Sequence, residues 1–97
     1  MRKFRAALER AYGDRIERVV LFGSRARGDA GPDSDWDVAV FLRRMEEFGR
    51  EASVIADIET DILYDSGAII NAAPLRAGSH VDRTAFMAEV RRDGLDI

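Results

Sequence analysis

No cysteine occurs in the 97 residues, which excludes disulfide staples, thiolate metal sites and thiol catalysis. Histidine is nearly absent too. His80 stands alone, cannot build a multi-histidine zinc site, and reads as a solvent-exposed loop residue. No apolar run approaches the roughly 18–20 residues of a membrane span. The N-terminal Met-Arg-Lys-Phe-Arg leads into a charged amphipathic pattern, not an apolar signal core, so a cytoplasmic protein without a membrane partner is expected. Basic excess is missing as well. A net charge of −3 argues against a general nucleic-acid coat. Arg25, Arg27, Arg43 and Arg44 still leave room for a local basic patch.

What is present suits a folded domain. Hydrophobic residues make up 46% of the chain, too many for a disordered segment. A chain of this length buries about 60–65% of its unfolded surface and holds one modest core, so one domain over residues 1–97 is expected. Homo- or hetero-oligomerisation stays open.

The pattern alternates helices and strands. Arg2 to Tyr12 reads as a helix on Phe4, Leu8 and Ala11, stopped at Gly13-Asp14. Val19-Val20-Leu21-Phe22 reads as a buried strand. Ser24 is expected to cap a short helix through Arg27, closed by Gly28. Gly31-Pro32-Asp33 is turn chemistry, and Trp36 to Leu42 a second strand with Val38 and Val40 on one side and Asp37, Ala39 and Phe41 on the other.

A long helix is expected from Met45 to about Asp65, with Phe48, Ala52, Ile55, Ile58 and Ile62 on its apolar face and Ser66-Gly67 at its end. Ala68 to Ala72 reads as a third strand, stopped by Pro74. After a loop over residues 75–81, Asp82 is expected to cap a last helix that Gly94 ends. Asp57, Glu59, Asp61 and Asp65 read as solvated helix-face charges, and the aromatics, Tyr64 and Phe86 included, as packing residues. The order is that of a small α/β or α+β layer fold.

Two short stretches carry chemistry. Gly23 permits close backbone approach, and a helix starting just after it turns free N–H groups toward an anion. The Ser24 hydroxyl adds a donor, and Arg25 and Arg27 are charge-assisted partners for phosphate oxygens. The P-loop spacing and its lysine are missing. In the second stretch, Ser34-Asp35-Trp36-Asp37, two carboxylates sit at strand spacing and point to one side. Without a cation they repel, and Mg²⁺ favours such oxygen ligands together with substrate phosphates. Each stretch alone reads as an ordinary turn. Together, at the same end of two adjacent strands, they can place a metal against a triphosphate.

The run Leu21 to Val40, with Gly-Ser-x-Ala-x-Gly and then Ser-Asp-x-Asp, resembles the signature of the DNA polymerase β-like nucleotidyltransferases, in particular the minimal nucleotidyltransferase domains. The resemblance implies a short mixed sheet backed by helices. It implies that Gly23 and Ser24, with Arg25, Arg27 and Ser34 nearby, bind the nucleotide, and that Asp35 and Asp37 are catalytic and hold Mg²⁺, with a two-ion site possible. ATP is then the substrate, and AMP passes to a hydroxyl with release of pyrophosphate. In the superfamily a third carboxylate on a following strand completes the site; here Asn71 falls near that position. Such domains often pair with a HEPN-domain toxin and act as antitoxin by adding AMP to its tyrosine. The alternative is a catalytically weak nucleotide-binding module that neutralises a partner by contact. A small-molecule acceptor and an RNA-binding accessory role fit less well, given the short chain, its acidic balance and its scattered aromatics.

Overall fold

The computed structural model describes every residue from Met1 to Ile97. Four α-helices and four strands follow in the order α1 (Arg2–Tyr12), β1 (Ile16–Phe22), α2 (Ser24–Arg27), β2 (Trp36–Leu42), α3 (Phe48–Ser66), β3 (Ile70–Arg76), α4 (Ala85–Asp93) and β4 (Leu95–Asp96). The strands form one mixed sheet in the order β3-β2-β1-β4. β1 runs antiparallel to β2 and to β4, whereas β2 and β3 are parallel. A parallel pair needs a crossover, and the 19-residue α3 supplies it.

Alternation along the strands divides the core. Val19, Leu21, Val38, Val40 and Leu42 pack with Phe4, Leu8 and Ile55 beneath α1 and α3. Val20, Phe22, Ala39 and Phe41 face the other way and pack against Met87 and Val90 of α4. β2 therefore has the two faces its sequence implies, and the fold is a mixed α/β sheet with helices on both sides.

Several boundaries differ from the sequence reading. β1 starts at Ile16, ahead of its apolar run, because Ile16 pairs with Leu42 across a bulge. The cap of α2 is Gly23, not Ser24, whose hydroxyl caps nothing. α3 starts at Phe48, and Phe48 itself is 59% exposed. The core instead takes Met45, buried in the turn before the helix. Tyr64, expected to pack, is 85% exposed.

Pro74 does not stop β3 but lies within it. β3 is an edge strand, and proline is tolerated where no ladder donor is needed. The same edge explains Glu59, which is half-buried and not solvated: its Oε2 accepts the Ala72 N–H at 2.7 Å. Ala72 and Pro74 share parity, so one outward N–H is capped and the other does not exist.

α4 is capped by Thr84, not Asp82; Oγ1 of Thr84 accepts the Met87 N–H at 3.1 Å. β4 has no counterpart in the sequence reading. His80 lies in a 3-10 turn, half-buried with its ring edge-on to Phe41 at 5.5 Å. Burial, followed by the neighbouring Arg18 and Arg91 charges, pushes its pKa down.

Candidate active site

Strand direction brings distant residues to one end of the sheet. Because β1 and β2 are antiparallel, the last residue of β1, Phe22, stands opposite Asp37. Because β3 is parallel to β2, Asn71 at its start stands opposite Asp37 on the other side. Directly paired residues share a face, so Phe22, Asp37 and Asn71 form a row on the α4 side.

Gly23 closes this row. Its φ is 76°, a left-handed backbone that side chains disfavour. A Cβ there would stand 2.5 Å from Oδ2 of Asp37. The turn that starts α2 thus rests directly on the carboxylate. The Gly23 carbonyl accepts the Ala26 and Arg27 N–H groups, which starts α2 immediately beyond it.

Asp35 is exposed just before β2, and Asp37 is half-buried at its start. Burial raises the Asp37 pKa, the Asp35 and Glu89 charges push it further up, and Arg27 opposes them. The pair is an oxygen-only donor set, and no third Asp, Glu or His closes it into a metal cage. A pair left open in this way suits Mg²⁺, which takes one or two carboxylates and completes its shell with substrate phosphates and water.

The predicted phosphate arginines have partners within the chain. Arg25 stacks over Trp36, 4.3 Å from the ring centroid, and its Nη2 donates to the Ser34 carbonyl at 2.9 Å. Ser34 turns its hydroxyl inward, accepting the Gly31 N–H at 2.9 Å. Arg25 and Ser34 thereby brace the loop that delivers Asp35. Arg27 donates to Asp29 at 3.2 Å and to Asp93 of α4 at 3.1 Å. Ser24 is left half-exposed beside Gly23. Arg43 and Arg44 do not join a patch with Arg25 and Arg27. They follow β2 at its far end, where Arg43 donates to the Asp14 and Ile16 carbonyls and Arg44 to Asp14.

Sequence reasoning missed the contribution of α4. Phe86, Glu89 and Asp93 recur at helical spacing, and this face meets the site. Phe86 contacts Phe22 edge-on at 5.5 Å, and Asp93 holds Arg27. The bonds from Arg92 and Arg27 keep the Asp93 pKa low. Spacing was the only available signal, and it was masked by the stronger apolar pattern of Phe86 and Val90.

Comparison with known proteins gives the family. A family model described as "Nucleotidyltransferase domain" matches residues 1–89. A Methanocaldococcus jannaschii protein named "Putative protein adenylyltransferase MJ0141" is 28% identical over 98 aligned positions, covering all of this chain and 94% of its own. Among solved structures, a mutant of the toxin–antitoxin MntA-HpeT superposes with a TM-score of 0.70 at 18% identity, over 98% of this chain and 69% of that one. A toxin–antitoxin crystallised with AMP-PNP gives 0.66 at 15% identity, over 96% and 68%. The match over residues 1–89 and the adenylyltransferase-named relative show that the chain belongs to the nucleotidyltransferase domain family and is a nucleotidyltransferase.

Proposed function

We propose that this protein transfers AMP from ATP, with Mg²⁺, to a tyrosine hydroxyl of a HEPN-domain toxin and so acts as its antitoxin in the cytoplasm, the whole chain working as one domain. The close seat of Gly23 on Asp37, with Asp35 beside it, is the observation that carries this reading. Gly23, which has no side chain, and Ser24, whose hydroxyl caps nothing in the fold, offer the nucleotide phosphates backbone and hydroxyl donors. Asp35 and Asp37 would hold Mg²⁺, which when bound neutralises charge on the transferring phosphoryl group. Arg25 and Ser34 keep the aspartate loop in place. Arg27, held by Asp29 and Asp93, ties the turn to α4. The adenylyltransferase name of the relative and the AMP-PNP of the structural neighbour support adenylyl transfer; the toxin–antitoxin neighbours support a toxin as acceptor.

The test is transfer of label from [α-³²P]ATP, with Mg²⁺, to a purified HEPN-domain partner. Labelled partner that disappears with Asp35→Ala/Asp37→Ala is the expected result; an unlabelled partner rejects the proposal. Asn71 favours a second reading, neutralisation by contact, because a carboxamide opposite Asp37 cannot supply the expected third negative charge. That reading requires the double variant to neutralise the toxin as well as the parent does.

A further inference from the structure

We propose that the α4 face bearing Phe86 and Glu89 is the acceptor wall of the site: Glu89 takes the proton of the attacking hydroxyl, and Phe86 lies beside an aromatic acceptor. This rests on the nucleotidyl-transfer reading above. Its basis is the placement of α4. Residues at i, i+3 and i+7 share a helix face. One end of that face is fixed by the Phe86–Phe22 contact at 5.5 Å, the other by the Arg27–Asp93 bond at 3.1 Å. Glu89 lies between them on that helix face, and Phe22, which Phe86 touches, stands opposite Asp37. The influence of its charge on Asp37 agrees with that position.

Of the carboxylates that are not fully exposed, all but Asp37 and Glu89 have partners. Glu51 pairs with Arg15, Glu59 caps Ala72, and Asp93 holds Arg27 and Arg92. Glu89 is half-buried and forms neither an ion pair nor a hydrogen bond. Asn71 cannot take a proton, so α4 supplies what β3 does not.

Phe86 argues for the class of acceptor. It is 39% exposed although its ring packs against Phe22 in a T-shaped contact, so it keeps free surface for a second aromatic ring. An aromatic hydroxyl lying along that surface would extend its oxygen toward Glu89, one turn further along the helix. In the step, the hydroxyl oxygen bonds to the α-phosphorus and the bond from that phosphorus to the bridging oxygen breaks. Pyrophosphate leaves with the electron pair, and the hydroxyl proton passes to the Glu89 carboxylate and on to water.

The experiment supplies N-acetyl-tyrosinamide or N-acetyl-serinamide as acceptor, with [α-³²P]ATP and Mg²⁺, and measures AMP-PNP·Mg²⁺ affinity separately by calorimetry. Wild type is expected to label the tyrosine compound. Glu89→Gln should lower kcat about 100-fold, the range of a lost general base, with AMP-PNP affinity unchanged. Glu89→Asp should recover part of that loss. Phe86→Ala should raise KM for the tyrosine compound about tenfold and leave the serine compound unaffected. A Glu89→Gln variant that keeps over half the rate, or loses AMP-PNP affinity in parallel, overturns the acceptor role. So does a wild type that binds AMP-PNP and labels neither compound. A wild type that fails to bind AMP-PNP overturns instead the reading on which the role depends.

Discussion

Gly23 and Asp37 occupy what would otherwise be one side chain's space: a Cβ on the glycine would stand 2.5 Å from the aspartate Oδ2. Gly23→Ala therefore combines a clash with a left-handed φ of 76°. The expected cost is about 2 kcal/mol of stability, read by urea unfolding. Loss of AMP-PNP binding should exceed what the unfolded fraction accounts for. Unchanged binding would mean that the turn and the carboxylate are not coupled.

Asp37 makes stability depend on pH in an unusual direction. Burial, Asp35 and Glu89 raise its pKa in the folded protein, so the folded state holds the proton more tightly than the unfolded one. Its contribution is then most favourable below the ordinary aspartate pKa and is lost as pH rises through the raised value. Asp37→Asn should melt above wild type at neutral pH, with the gain vanishing at acid pH. Mg²⁺ should raise the melting temperature of wild type and not of Asp37→Asn. Thermal scans from acid to neutral pH, with and without Mg²⁺, check both.

Away from the site, Arg15 Nη2 meets Glu51 Oε2 at 2.6 Å, and the Glu51 side chain is only 5% exposed. Arg15→Ala strands that carboxylate and should cost about 3 kcal/mol in denaturant unfolding. Arg15→Ala/Glu51→Gln should recover much of the loss. An Arg15→Ala protein as stable as wild type would mean that the carboxylate is hydrated after all.

The Ala72 N–H, capped by Glu59, reports on the free edge of β3. Glu59→Ala removes that acceptor and should cost about 1 kcal/mol. Hydrogen exchange at Ala72 should quicken more than at Ala39, which lies inside the sheet. Equal acceleration at both would point to global loosening and not to a lost cap.

The strand and helix types were readable wherever local pattern and tertiary context agree. The alternation of β2, the Gly28 stop and the α3 crossover are of this kind. β4 was not readable because Leu95–Asp96 is extended only by pairing with β1; two residues carry no period. Pro74 misled because its meaning depends on whether its strand is central or at an edge, which is a property of strand order. At the site, Gly23, Asp35 and Asp37 were legible as chemistry close together in sequence. Glu89 was not, since nothing local distinguishes a helix carboxylate whose charge acts on Asp37 from one that acts on none. Arg25 and Arg27 were legible as cations, whereas their pairing with Trp36, Ser34, Asp29 and Asp93 depends on the folded loop.

The antiparallel β1–α2–β2 unit has a kinetic consequence. Gly23, Asp35 and Asp37 are assembled by a hairpin of neighbouring chain, while Asn71 and Glu89 reach them only after a parallel crossover and the docking of α4. Contacts between distant segments carry the larger closure entropy and form later. The two halves of the site should therefore form in sequence. On refolding from urea, AMP-PNP binding should return before the proposed adenylyl transfer, so the protein first grips a nucleotide that it cannot yet spend.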